Sequence, residues 1–185
     1  MELQIRAMQK EDIGRVSDID GSFVVDSILV LSMTDQHINY TITPVDPYTK
    51  NYNDHDSEEE EEVDEMAYID HPDQIMYLAI LGEQVVGHIT LSRHWNHYAY
   101  IDDIRVDKSI RHRGIGSALI EAAKRWALEG GMPGIMLETQ NNNVKACQFY
   151  EKCGFTLGGF DRYLYQGLNH KHNEIALYWY LLFES

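Results

Sequence analysis

Residues 98–129 read YAYIDDIRVDKSIRHRGIGSALIEAAKRWALE, and the order of patterns in this stretch decides the fold. Tyr98–Val106 is a run of strand formers. From Gly114 onward the spacing changes: Ile115, Leu119, Ala122, Ala123 and Trp126 form an apolar stripe of helical period. A helix over Gly114–Glu129 is expected, stopped by Gly130, Gly131 and Pro133. Between strand and helix lies Arg111-His112-Arg113-Gly114-Ile115-Gly116. Gly114 and Gly116 allow close approach of a ligand to the backbone. The helix behind them points its N–H groups and positive dipole end at that ligand, and Arg111 and Arg113 add charge. Such a turn suits a diphosphate. It is not a P-loop, because G-x-x-x-x-G-K-[ST] is absent, and it lacks the third glycine and spaced acid of a dinucleotide fingerprint.

Outward from this unit the chain punctuates clearly. Leu3–Met8 alternates like a strand, and Lys10–Asp20 has helical spacing through Ile13, Val16 and Ile19. Phe23–Met33 reads as helix or strand. His37–Thr43 reads as a strand stopped by Pro44 and Pro47. Asp46–Asp73 is polar and acidic and is expected to be a long loop. Ile75–Leu81, a Gly82-Glu83 turn and Gln84–Arg93 form a hairpin signature. After the helix come a strand (Gly134–Thr139), a helix (Asn143–Cys153, closed by Gly154) and two strands (Phe155–Tyr165 and Glu174–Phe183). The last is apolar on both sides, which fits a central strand or the face of a homodimer. This order predicts an α+β, or mixed α/β, sheet with helices on its faces, built as a single domain over residues 1–185 with an acidic insertion at 46–73.

The chain has 185 residues, 44% of them hydrophobic, ample for a sizeable core. Its net charge is −15, from 30 acids and 15 Lys or Arg. Asp54–Glu65 holds nine of the acids, and the remainder is only mildly acidic. This balance repels phosphate backbones, so a nucleic-acid partner is not expected; a small cationic ligand is the natural counterpart. The N-terminus lacks a signal-peptide core, no apolar run would span a membrane, and Cys147 and Cys153 match no disulfide framework. A cytoplasmic protein is expected. His94 with His97, and His170 with His172, lack the company of a metal motif, so no metal is expected.

Two motifs together are similar to those of the GNAT acetyltransferase superfamily. Arg111, Gly114 and Gly116 fill its Q/R-x-x-G-x-G/A loop pattern, and Asn143-x-x-Ala146-x-x-Phe149-Tyr150-x-x-x-Gly154-Phe155 fills its second signature without a gap. The resemblance implies the GNAT fold: a central mixed, mostly antiparallel, twisted sheet splayed at the acetyl-CoA site, with helices on both faces. It implies acetyl-CoA as co-substrate. Arg111, His112, Arg113, Gly114, Ile115, Gly116 and Ser117 would hold its pyrophosphate. Ile104, Arg105 and Val106 would pair with the pantetheine arm, as a strand pairs with an extended ligand. Asn143 and Ala146 would border the same molecule. Tyr150 would donate a proton to the leaving thiolate, a general-acid role.

An amine acceptor with a reference pKa of about 10.4 must lose a proton before it attacks. Asp102, Asp103 and Glu138 are the candidate bases. Asp102 and Asp103 are adjacent on one strand, so alternation would turn only one toward the acceptor. Stretches such as YIDHPDQIMYL (68–78), WNHYAYIDDIRV (95–106) and MLETQNNNVKACQFYEKCGF (136–155) resemble the streptothricin acetyltransferase branch. That resemblance implies transfer of acetyl to an amine of the antibiotic's β-lysine moiety. The acidic run, with Glu58, Glu59 and Glu60, would attract such a polycation over a Debye length of about 8 Å. Tyr68, Trp95 and Tyr98 would line its pocket by cation–π contact. A protein-lysine, N-terminal or polyamine acetyltransferase, and an acyl-CoA sensor without chemistry, are the alternative readings.

Overall fold

The computed structural model describes residues 2–16, 19–51, 64–167 and 173–184. In chain order the strands are β1 (Leu3–Ala7), β2 (Phe23–Thr34), β3 (His37–Lys50), β4 (Gln74–Leu81), β5 (Gln84–Arg93), β6 (Ala99–Val106), β7 (Gly134–Gln140), β8 (Thr156–Asp161) and β9 (Ala176–Leu182). The helices are α1 (Ile115–Glu129) and α2 (Val144–Lys152). The chain is mixed α/β with mostly antiparallel pairing. It gathers into two units: one holds residues up to Phe23 and Asn51–Ile135, the other Val24–Lys50 and Met136–Glu184.

In the first unit β1, β4, β5 and β6 lie in that order, each antiparallel to the next. The expected β4–β5 hairpin turns at Gly82, whose φ of 67° is left-handed. α1 packs against all four strands. Its Leu119, Ala122, Ala123 and Ala127 are fully buried, as are Ala79, Ile89, Leu91 and Ala99 in the sheet. Each such Leu or Ile contributes about 2 kcal/mol by leaving water. On the other face of β4, Met76, Leu78 and Ile80 cluster with Met8, Val16, Tyr68 and Val85.

Among the described residues of Lys10–Asp20 the expected helix is not formed. Only Lys10–Asp12 makes a 3-10 turn, and Gly14 then enters the left-handed region at φ 82°. The cause is Asp12, which is buried and commits its carboxylate to Arg6 (2.6 and 2.8 Å), Arg15 (2.7 Å) and the Gln9 N–H (3.0 Å). Val16 and Ile19 are still drawn inward, but Ile13, placed on the same stripe by sequence, is 45% exposed.

In the second unit β2 and β3 form a hairpin whose two-residue turn, Asp35-Gln36, has φ of 49° and 65°. This is the primed geometry that matches strand twist. β3 does not stop at Pro44; it runs through Pro44 and Pro47 to Lys50. In a two-stranded sheet each strand keeps an open edge, where a residue without an N–H is tolerated. The stretch expected as a loop from Asp46 therefore begins as strand. It later holds a 3-10 turn at Glu65–Tyr68, and residues 52–63 lie outside the described residues. β9 sits between β7 and β8, which accounts for its two apolar sides: Ala176, Leu177 and Trp179 are fully buried. β8 is shorter than the expected Phe155–Tyr165 run. The Asn143 side chain caps α2 by accepting from the Ala146 N–H at 3.3 Å, and Gly154 closes it at φ 91°. Among the described residues no helix is long and apolar enough to cross a membrane.

The Arg6 hydrogen bond holds the Asp12 carboxyl down at about 2, below the unfolded value of about 3.9. Its contribution is thus complete above the unfolded value and is lost as pH falls through the folded one. Asp12→Ala is expected to lower unfolding free energy by about 1–2 kcal/mol at pH 7. In denaturant titrations the gap to wild type should narrow steadily from pH 4 toward pH 2.

Candidate active site

The pairing of β5 with β6 runs Gly87↔Val106, His88↔Arg105, Ile89↔Ile104 and Thr90↔Asp103, then Leu91↔Ile101 and Ser92↔Tyr100. Leu91 follows Thr90 directly, but Asp102 has been passed over. It is the extra residue of a β-bulge. Beyond a bulge the alternation of side chains shifts by one. Tyr100, Asp102, Asp103 and Arg105 therefore share one face with His88, Thr90 and Ser92. The expectation that only one of Asp102 and Asp103 would face a given side is corrected: both do.

The two carboxylates have different surroundings. Asp102 accepts a hydrogen bond from the Ser92 hydroxyl at 3.0 Å, and burial pushes its carboxyl up to about 6. The residue as a whole is exposed to solvent, so a proton can reach the group. Asp103 is bonded to the His88 Nε2 at 2.7 Å and lies 2.8 Å from the Arg105 Nε. Burial works to raise Asp103, but His88 and Arg105 outweigh it and hold the carboxyl below its ordinary range. Tyr68 belongs to the same face. Burial raises its phenol, the charges of Asp102 and Asp103 add to this, and a hydrogen bond with Thr90 opposes it. The His94 ring stacks on Tyr100 at 4.9 Å and lies 5.9 Å from the Trp95 ring. Trp95 is 84% exposed, and Tyr98 is half-buried. Glu58, Glu59 and Glu60 lie outside the described residues.

Downstream, the glycine turn is locally braced. Asp107 accepts from the Ser109 N–H (2.9 Å) and hydroxyl (2.6 Å). Arg111 donates from Nε to the Val106 carbonyl at 3.0 Å and from its guanidinium to the Ser22 carbonyl at 2.9 Å. Half-buried, it shapes the loop from within, whereas His112 and Arg113 are exposed. His112 and Gly114 take left-handed φ values of 65° and 80°. The first α1 bond runs from the Ala118 N–H to the Gly114 carbonyl at 3.0 Å. The N–H groups of Ile115, Gly116 and Ser117 therefore point out of the helix end. Apart from Gly114 itself and its chain neighbours, no atom of the described residues lies within 4 Å of where a Gly114 Cβ would be. An anion-binding cradle fits these residues. Just upstream, Ile104 and Val106 continue β6 in register with Ile89 and Gly87.

In the second unit, Glu138 on β7 accepts a hydrogen bond from the Tyr165 hydroxyl, which itself accepts from the Gln140 side chain at 2.9 Å. Tyr165 is 7% exposed. Sequence reasoning missed it, because it read Tyr165 as the last residue of a Phe155–Tyr165 strand, whereas β8 ends at Asp161. Tyr150 is equally buried, its ring 5.8 Å from Phe155 and 6.4 Å from Trp179. Asn142 was also missed. It donates to the Glu174 carboxylate (3.1 Å) and the Tyr48 hydroxyl (3.0 Å), beside a Lys50–Glu174 ion pair of 2.7 Å. Cys147 is buried, which raises its thiol to about 12 and leaves it unreactive. Among the described residues no three His, Cys, Asp or Glu side chains group to hold a metal.

Residues 41–155 match the model of the acetyltransferase (GNAT) family. The chain belongs to the GNAT acetyltransferase family. It is accordingly an acetyl-CoA-dependent N-acetyltransferase, which sets aside the sensor reading. It is 39% identical to a streptothricin acetyltransferase of Escherichia coli, over 92% of this chain and 91% of that one. A candidate streptothricin acetyltransferase of Bacillus anthracis, solved in complex with acetyl coenzyme A, is 49% identical. It superposes with a TM-score of 0.91, covering 98% of this chain and 100% of that one. A nourseothricin acetyltransferase structure is 29% identical with a TM-score of 0.79, covering 97% and 98%.

Gly114 occupies left-handed space without crowding, so Gly114→Ala meets backbone strain and no clash. That strain is about 1 kcal/mol. The variant should fold and show a KM for acetyl-CoA raised about fivefold, with kcat within about twofold of wild type. Steady-state kinetics at saturating acceptor check this.

Proposed function

We propose that the acceptor is a streptothricin-class antibiotic, acetylated on a primary amine of its β-lysine moiety, and that the reaction confers resistance from within the cytoplasm. The full-length relatives named for streptothricin and nourseothricin support this choice. The observation that carries the mechanism is Asp102: a bulged carboxylate, bonded to a hydroxyl among the described residues and not to Lys or Arg, with raised proton affinity. A cationic acceptor is drawn to that charge. Trp95, Tyr68 and Tyr98 offer aromatic surface to it, and Glu58, Glu59 and Glu60 add attraction at long range. Asp102 takes the proton from the ammonium, which frees the nitrogen lone pair to attack the thioester. Asp103, committed to His88 and Arg105, is a poor base and serves as fixed charge. Glu138, held by the Tyr165 hydroxyl, is the other candidate carboxylate.

Acetyl-CoA supplies the activated acyl group. Arg111, His112, Arg113, Gly114, Ile115, Gly116 and Ser117 hold its diphosphate, Ile104 to Val106 its pantetheine arm, and Asn143 and Ala146 keep α2 in place for Tyr150. Tyr150 gives its phenolic proton to the departing sulfur. Transfer is direct, in a ternary complex without an acetyl-enzyme.

Free-thiol release from acetyl-CoA, with product mass, tests the acceptor against spermidine and a lysine peptide. The expected result is rapid release with streptothricin and one added acetyl. Turnover on the peptide or polyamine alone would overturn the resistance reading and keep the transferase. Tyr150→Phe should lower kcat about 100-fold, within the usual span of general acids, with acetyl-CoA affinity retained. An unchanged kcat would remove Tyr150 from the acid role.

A further inference from the structure

We infer that His88 is a positioning residue for the acetyl transfer: through Asp103 it pins the β-bulge that turns Asp102 toward the acceptor. This rests on the reading of Asp102 as the proton acceptor and adds a residue that neither motif contains.

A bulge leaves one residue unpaired and bends its strand, so its place along the strand must be fixed by something besides the ladder. In β6 the residue beside the bulge is Asp103, and its carboxylate oxygen Oδ2 is held from two sides. His88 Nε2 reaches it from β5 at 2.7 Å, and Arg105 Nε reaches it from β6 itself at 2.8 Å. The Thr90 hydroxyl donates to the Asp103 carbonyl at 3.4 Å. Side chain and backbone of Asp103 are therefore both tied to β5 at the register where the bulge begins. If the extra residue moved by one position, Asp102 would leave the face it shares with Ser92, Tyr68 and His94.

His88 is placed for this task at a cost to packing. Its side chain is 8% exposed, in a strand otherwise apolar from Val85 to Leu91 apart from Thr90. Its second ring nitrogen, Nδ1, is buried with no hydrogen-bond partner among the described residues. Leu or Met would fill the space without that penalty. The single bond to Asp103 is thus the ring's only visible polar function, and it lies directly beside the proposed base.

The test compares His88→Leu with His88→Gln, whose amide can donate from nearly the same place. Assays run well below each variant's Tm, with the acceptor that the wild type turns over. Misplacing a catalytic group by an ångström can cost about 100-fold. His88→Leu is expected to lose at least about tenfold in kcat, with the KM for acetyl-CoA within about twofold. His88→Gln should recover most of it. A purely packing role predicts the opposite: a lower Tm with kcat retained in His88→Leu, which would overturn the inference. Equal losses in both variants would also overturn it. If His88→Leu does not fold, Asp103→Ala decides: a similar kcat loss supports the pin, and wild-type kcat refutes it. Asp102→Asn separates this from the reading beneath it. A crippled Asp102→Asn beside a fully active His88→Leu sinks the positioning role alone, whereas an active Asp102→Asn sinks the base itself.

Discussion

One residue too many in β6 sets the arrangement of the two acids on which the proposed chemistry rests. A regular strand sends neighbouring side chains to opposite faces, and an Asp102-Asp103 pair in regular pairing would send one carboxylate toward α1 and its buried apolar partners. The bulge prevents that. It leaves the α1 face to Ile89, Leu91 and Ile101 and gathers both acids on the other. An asymmetric pair results. Asp103 is kept charged by His88 and Arg105, and Asp102, bonded to the Ser92 hydroxyl, has its carboxyl raised to about 6. β6 ends at Val106 and a 3-10 turn at Lys108–Ile110 leads on to the glycine turn, so the proposed base and the proposed diphosphate cradle lie on successive elements of one unit.

A comparable economy appears in Asn141-Asn142-Asn143, where each side chain has a separate task. Asn141 exchanges hydrogen bonds with Leu29 on β2 and Ile175 before β9, at 2.8–3.1 Å. Asn142 joins Tyr48 to the Lys50–Glu174 pair. Asn143 caps α2, the helix that carries Tyr150. Asn141 and Asn142 are buried and bonded to partners far away in sequence, so they tie the β2–β3 hairpin to β7 and the approach to β9.

Much of this was legible in the sequence, for local reasons. The α1 stripe, the β4–β5 hairpin turn, the α2 cap and its closing glycine are all set by residues within a few positions of one another. The failures were non-local. Ile13, Val16 and Ile19 have helical spacing, but the pull of Arg6 and Arg15 on Asp12 overrides it. Pro44 and Pro47 read as breakers until β3 is seen to pair on only one side. Both acids of β6 were found, but not their common face, because a bulge carries no composition signal when it holds an aspartate. His88 and Tyr165 had no motif to announce them; each acquires meaning only from the carboxylate the fold brings to it.

The most direct test of this account is the pH dependence of kcat/KM for the acceptor in wild type and Asp102→Asn. Because burial raises Asp102 to about 6, the wild-type profile should fall as pH drops through that value, when the protonated carboxyl can no longer accept a proton. The variant should be slow and flat across the same range. An acid limb of the same position and depth in both proteins would contradict the account and place the base elsewhere.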